Sequence, residues 1–89
     1  MTDREVVVGH ELGLHARVSA RLVKLAAQFN SRITISRTDG PAGSEADAKS
    51  ILSILLLQAS HGTRVRVLAE GRDEAEAIDA MCRYLETNG

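Results

Sequence analysis

The fold class this chain predicts is α+β, an antiparallel sheet of about four strands covered on one face by three helices. Short stretches with a two-residue apolar period alternate with longer ones of helical period, and loop chemistry separates them. The 89 residues contain no internal repeat, low-complexity stretch or linker, so a single domain over 1–89 is expected.

The elements follow in order. Arg4 to Gly9 holds Val6-Val7-Val8, a β-branched run too short for a helix and read as a strand. Ala16 to Phe29 reads as a helix, with Val18, Leu22, Leu25, Ala26 and Phe29 on one stripe and Asn30-Ser31 as the stop. From Arg32 to Arg37, Ile33 and Ile35 face one way and Thr34 and Ser36 the other, the mark of a half-buried strand. Thr38 to Ala48 is loop-like through Asp39-Gly40-Pro41 and Gly43-Ser44, with a weak signal for a short strand near its end. Ser50 starts a short helix through Leu57, and Thr63 to Ala69 alternates again around Val65 and Val67. Arg72 to Glu86 is the clearest helix. Ile78, Met81, Cys82 and Leu85 form its apolar stripe, Asp73, Glu74 and Glu76 lie at its positive end, and Arg83 lies at its negative end.

Composition narrows the function. The apolar share is 44% and the aromatic share 2%, so the core must be aliphatic. Eleven basic against twelve acidic residues leave a formal charge of −1, which offers no footprint for nucleic acid or an anionic membrane. Cys82 is the only cysteine, which fits a reducing compartment, and no apolar run nears the roughly 20 residues of a membrane span. Met1 to Glu5 lacks the layout of a signal peptide, so a cytoplasmic protein is expected; a monomer is expected as well. His10 and His61 read as solvated bystanders without metal-ligand spacing, and Cys82 as a small buried hydrophobe. No metal or cofactor is expected.

The first helix begins unusually. Its N-cap position, where Ser, Thr, Asp or Asn would accept a backbone N–H, falls on His15. The N–H groups of the first turn are then left for another acceptor, and helix N-termini of this kind bind phosphate. A nucleophilic imidazole there could carry a phosphoryl group whose oxygens the same backbone solvates. Arg17 stands in the first turn against the macrodipole, and Arg21 and Lys24 continue the basic stripe at i+4 and i+7. Phosphoryl transfer depends mainly on positioning and positive charge, which such a stripe supplies. On the residues alone a second reading stands beside it. A lone histidine near a helix start is commonly just a surface residue, and a basic stripe a solvated face. The chain would then be a non-phosphorylated, ferredoxin-like regulatory or anion-binding module.

The string Gly13-Leu14-His15-Ala16-Arg17 closely resembles the active-site motif of the HPr family, the histidine phosphocarriers of the phosphoenolpyruvate-dependent phosphotransferase system. Ala48-Lys49-Ser50-Ile51, Gly62-Thr63 and Ala69-Glu70-Gly71-Arg72-Asp73-Glu74 follow in family order, so the resemblance covers essentially the whole chain. It implies an open-faced β-sandwich acting as a carrier rather than a free-standing enzyme. It also implies uptake of a phosphoryl group from Enzyme I onto Nδ1 of His15 and delivery to EIIA-type domains. Arg17 would neutralise the phosphoryl oxygens, and the N–H groups of Ala16 and Arg17 would bind them.

Ile51 to Leu57 holds six apolar residues in seven, more than a two-turn helix on a sheet can bury. Ile54 and Leu57, with Leu56 beside them, group on one side; Ile51, Leu52 and Leu55 group on another and match the family's partner-contact positions. Arg17, Arg21, Lys24 and Lys49 would then ring an apolar centre suited to an acidic-rimmed partner. Ser50 reads as the helix N-cap, and it also falls where some family members carry a serine phosphorylated by a dedicated kinase. The family pattern breaks in three places. Val18 replaces the usual proline after the arginine, the 38–47 loop is longer, and Gln58 stands where glycine is common.

Overall fold

The computed structural model describes residues 1–40 and 44–87. Its elements are β1 (Thr2–Val7), α1 (Ala16–Ala26), β2 (Arg32–Arg37), β3 (Glu45–Asp47), α2 (Ile51–Leu56), β4 (Arg64–Glu70) and α3 (Glu74–Glu86). The strands form one antiparallel sheet in the order β1-β4-β2-β3, an α+β architecture as expected. The last strand to be made thus sits between the first and the second. Val6 lies opposite Val65 in β4, and Ile35 lies opposite Val67.

Period-two patterning sets which face is dry. Val6, Ile33, Ile35, Ala46, Val65, Val67 and Ala69 point into one core with Leu22 and Ala26 of α1, Ile54 of α2, and Ile78, Met81, Cys82 and Leu85 of α3. The opposite face carries charge: Arg66 pairs with Asp3 and Glu5 across the β1–β4 ladder. An antiparallel sheet with one solvated face needs this alternation.

Several boundaries move for physical reasons. β1 runs Thr2–Val7 rather than Arg4 to Gly9: Val8 N–H still follows the β1–β4 register to Thr63 O, but Gly9 N–H leaves the sheet for Leu85 O of α3. α1 ends at Ala26 rather than Phe29; Gln28 and Phe29 close tighter i→i+3 bonds to Leu25 and Ala26. α3 starts at Glu74 rather than Arg72. The Asp73 carboxylate does not cap it but accepts from Asn30 N–H (2.9 Å), Ser31 N–H (3.0 Å) and Ser31 Oγ (2.5 Å), fixing the α1–β2 junction instead. Those hydrogen bonds, led by Ser31, hold the Asp73 carboxyl below the usual carboxylate range. The short strand β3 is present. Pro41 and Gly43 of the expected loop lie outside the described residues.

Candidate functional site

His15 stands at the end of a loop that is tied down at both ends. At its start, Gly9 N–H donates to Leu85 O at 2.9 Å, and a Cβ on Gly9 would run into the backbone of Glu86. His10 is not the solvated bystander expected from sequence: it is buried, 2% exposed. Its Nε2 lies 2.7 Å from Tyr84 O, and a carbonyl only accepts, so Nε2 carries the proton. The two rings pack at 4.9 Å with a 50° tilt, and His10 Nδ1 is buried with no hydrogen-bond partner among the described residues. Expectation failed here because the partner is 74 residues away in sequence.

At its end the loop rests on the chain leaving α2. Gly13 adopts φ +72°, and a Cβ there would sit 2.6 Å from Ala59 O and 2.7 Å from Ser60 Cα. Only glycine satisfies both conditions. Leu14 N–H donates to Ala59 O at 2.9 Å, and the buried Ser19 hydroxyl donates to Leu14 O at 2.9 Å. The residue before His15 is therefore held at its N–H and at its carbonyl. His15 follows in extended conformation (φ −74°, ψ 179°) as the N-cap of α1.

The cap is open, as the sequence suggests. His15 makes no side-chain cap bond, and its carbonyl accepts the first intrahelical bond from Ser19 N–H at 2.8 Å. The N–H groups of Ala16, Arg17 and Val18 have no acceptor among the described residues. Val18, in place of the family proline, supplies the third of these donors while its side chain is buried in the core. There is no acidic residue in the first turn, and Ala16 and Arg17 are exposed. His15, Arg17 and Arg21 line a shallow depression of about 160 Å³ with Leu12, which is 77% exposed. Lys24 belongs to a different account. It lies in the last turn of α1, where its charge suits the macrodipole, so it is no anomaly of folding.

α2 divides its apolar residues sharply. Ile54 and Leu57 are buried, whereas Ile51 (40%), Leu52 (65%) and Leu56 (71%) are exposed and Leu55 is half-buried. Leu56 therefore does not join Ile54 and Leu57 in the core. Ser50 caps the helix, accepting from Ser53 N–H at 3.3 Å. Lys49 is not a free rim cation: its ammonium donates at 2.8 Å to Phe29 O, in the turn that follows α1. His61 is exposed as expected. Cys82 is buried, and that burial pushes its thiol up, consistent with an inert core residue. No helix among the described residues is long and apolar enough to cross a membrane.

Residues 2–87 match the family model described as the PTS HPr component phosphorylation site. This chain belongs to the HPr family. It is 42% identical over 86 residues to phosphocarrier protein HPr of Xylella fastidiosa (strain 9a5c), covering 97% of this chain and 92% of that protein. It is 34% identical over 84 residues to phosphocarrier protein NPr of Shewanella violacea, covering 94% of this chain and 88% of the other. The crystal structure of HPr from Thermoanaerobacter tengcongensis superposes with a TM-score of 0.86 at 36% identity, covering 97% of this chain and 92% of that one. The protein is thus an HPr-type phosphocarrier of the phosphotransferase system, and the non-phosphorylated ferredoxin-like alternative is not favoured.

Proposed function

We propose that His15 is the phosphoryl acceptor, taking the group from phosphorylated Enzyme I and passing it to EIIA-type domains, and that the protein acts as a cytoplasmic monomer. The observation carrying this reading is the open N-terminus of α1. A histidine caps it without a cap bond, three backbone N–H groups beside it have no acceptor among the described residues, and Arg17 is exposed in the first turn. A lone pair on Nδ1 of the ring attacks phosphorus as the bond to the donor nitrogen breaks. The developing charge then meets the N–H groups of Ala16 and Arg17 and the Arg17 guanidinium. Storing the group covalently splits one transfer into two shorter ones.

Partner docking falls to Ile51, Leu52 and Leu55 on α2, with Arg21 and Lys24 as a basic rim for an acidic partner surface. Lys49 serves that rim less, since its ammonium is bound to Phe29 O. Ser50 is half-buried and already caps α2, so phosphorylation there by a serine kinase would place a dianion beside the docking face and repel acidic partners. Incubation with phosphoenolpyruvate and Enzyme I, followed by intact mass measurement, tests the reading. One acid-labile phosphoryl group is expected on the wild type and none on His15→Ala. An adduct that survives the substitution would remove it.

A further inference from the structure

We infer that Arg37, together with the left-handed Gln58 it restrains, is a positioning residue that holds the His15 loop in place. The inference rests on the reading of His15 as phosphoryl acceptor and extends it to residues outside the site. Arg37 ends β2, and its guanidinium is gripped from one side by Asp39, Nε to Oδ1 at 2.9 Å and Nη2 to Oδ2 at 3.0 Å. This two-bond fork fixes the plane of the group. The remaining Nη1 donates to Leu57 O at 3.3 Å and to Gln58 O at 3.2 Å. Those carbonyls end α2 and have no intrahelical donor.

Gln58 is where the need arises. It has φ +53°, the only positive φ outside glycine among the described residues. A left-handed residue commonly follows a helix C-terminus, but glycine adopts the conformation without the clash of Cβ against the backbone. The next residue, Ala59, supplies the carbonyl on which Leu14 N–H rests, and Gly13 packs against Ala59 O and Ser60 Cα. Strain at Gln58 thus sits one residue from the support of the His15 loop. Arg37 bonds to the strained turn from a rigid strand and opposes its relaxation. The same turn carries α2, so the docking face and the acceptor histidine are set relative to each other through residues 57–59.

The test uses the full chain with phosphoenolpyruvate and Enzyme I, read by steady-state kinetics and by hydrogen exchange at the Leu14 amide. Arg37→Met keeps the side-chain bulk and removes the donors. Losing hydrogen bonds of this class should speed Leu14 exchange about tenfold and lower kcat for phosphoryl uptake about threefold to tenfold, with KM for Enzyme I unchanged. Gln58→Gly in the Arg37→Met background should restore both to wild-type values, because the turn then needs no restraint. Asp39→Asn, which loosens the guanidinium without touching α2, should move both readouts the same way by less, and it serves should Arg37→Met not fold.

An Arg37→Met protein that melts earlier yet keeps wild-type kcat and Leu14 exchange would overturn the inference, and so would failure of Gln58→Gly to rescue. If the wild type took up no phosphoryl group, the His15 reading would fall. The Leu14 exchange comparison would still decide whether Arg37 holds the loop.

Discussion

At the scale of single residues, the site depends on what does not bond. His15 occupies a cap position and leaves the cap unfilled, so the N–H groups of residues 16–18, which have no acceptor among the described residues, are the donors proposed to meet the phosphoryl group. Arg17 works against the helix it belongs to, since a cation in the first turn opposes the macrodipole. Arg17→Ala should therefore slow phosphoryl uptake by about a hundredfold, as loss of one preorganised charge contact does, while the melting temperature holds or rises slightly. Equal rates by rapid quench would remove its role. Gln58 shows the opposite trade, a residue kept in a conformation that glycine would adopt more easily. Gln58→Gly alone should stabilise the fold by about 1 kcal/mol, read as a higher melting temperature. A lower one would mean that its side chain contributes more than its backbone loses.

At the scale of elements, two junctions organise the molecule. Asp73 joins the start of β2 to the start of α3 through Asn30 and Ser31, and its carboxyl titrates below the usual range because those donors favour the charged form. Between the folded and ordinary values the unfolded chain binds the proton and the folded chain does not, so stability rises with pH there. The contribution is complete above the ordinary carboxylate pKa of about 4 and is lost as pH falls through the folded value. Asp73→Asn should lower the melting temperature at neutral pH, and the gap to wild type should narrow as the solution is acidified below that range. A gap independent of pH would place the effect elsewhere. The second junction is α2, which buries Ile54 and Leu57 and exposes Leu52. Leu52→Glu should weaken binding of Enzyme I by titration calorimetry with the circular dichroism spectrum unchanged, and unfolding would mean that Leu52 belongs to the core.

At the scale of the whole molecule, sequence periodicity accounts for most of the fold and long-range bonding for the rest. The alternation of Ile33 with Ile35, and of Val65 with Val67, identified β2 and β4 because a two-residue period is a local property. The order β1-β4-β2-β3 was not legible, since nothing local tells β4 to enter between β1 and β2. The site divides the same way. His15, its open cap and Arg17 are neighbours in sequence and could be read together. His10 could not, because its partner is Tyr84; nor could Lys49, whose ammonium ends on Phe29, nor Arg37, whose target is the end of α2. Val18 and Gln58 are both visible in sequence as departures, and the N–H that Val18 restores follows from the loss of proline; the structure adds that this N–H has no acceptor among the described residues and that Gln58 makes a left-handed turn.

The fold as a whole brings an aliphatic core, a glycine seat at residue 13 and an exposed helix face together around one histidine. Phosphorus NMR of the protein after reaction with phosphoenolpyruvate and Enzyme I tests that arrangement most directly. A single phosphohistidine resonance assigned to Nδ1 of His15, absent from a folded His15→Ala protein, is the predicted result. A resonance that persists in His15→Ala, or no resonance from the wild type, would contradict it.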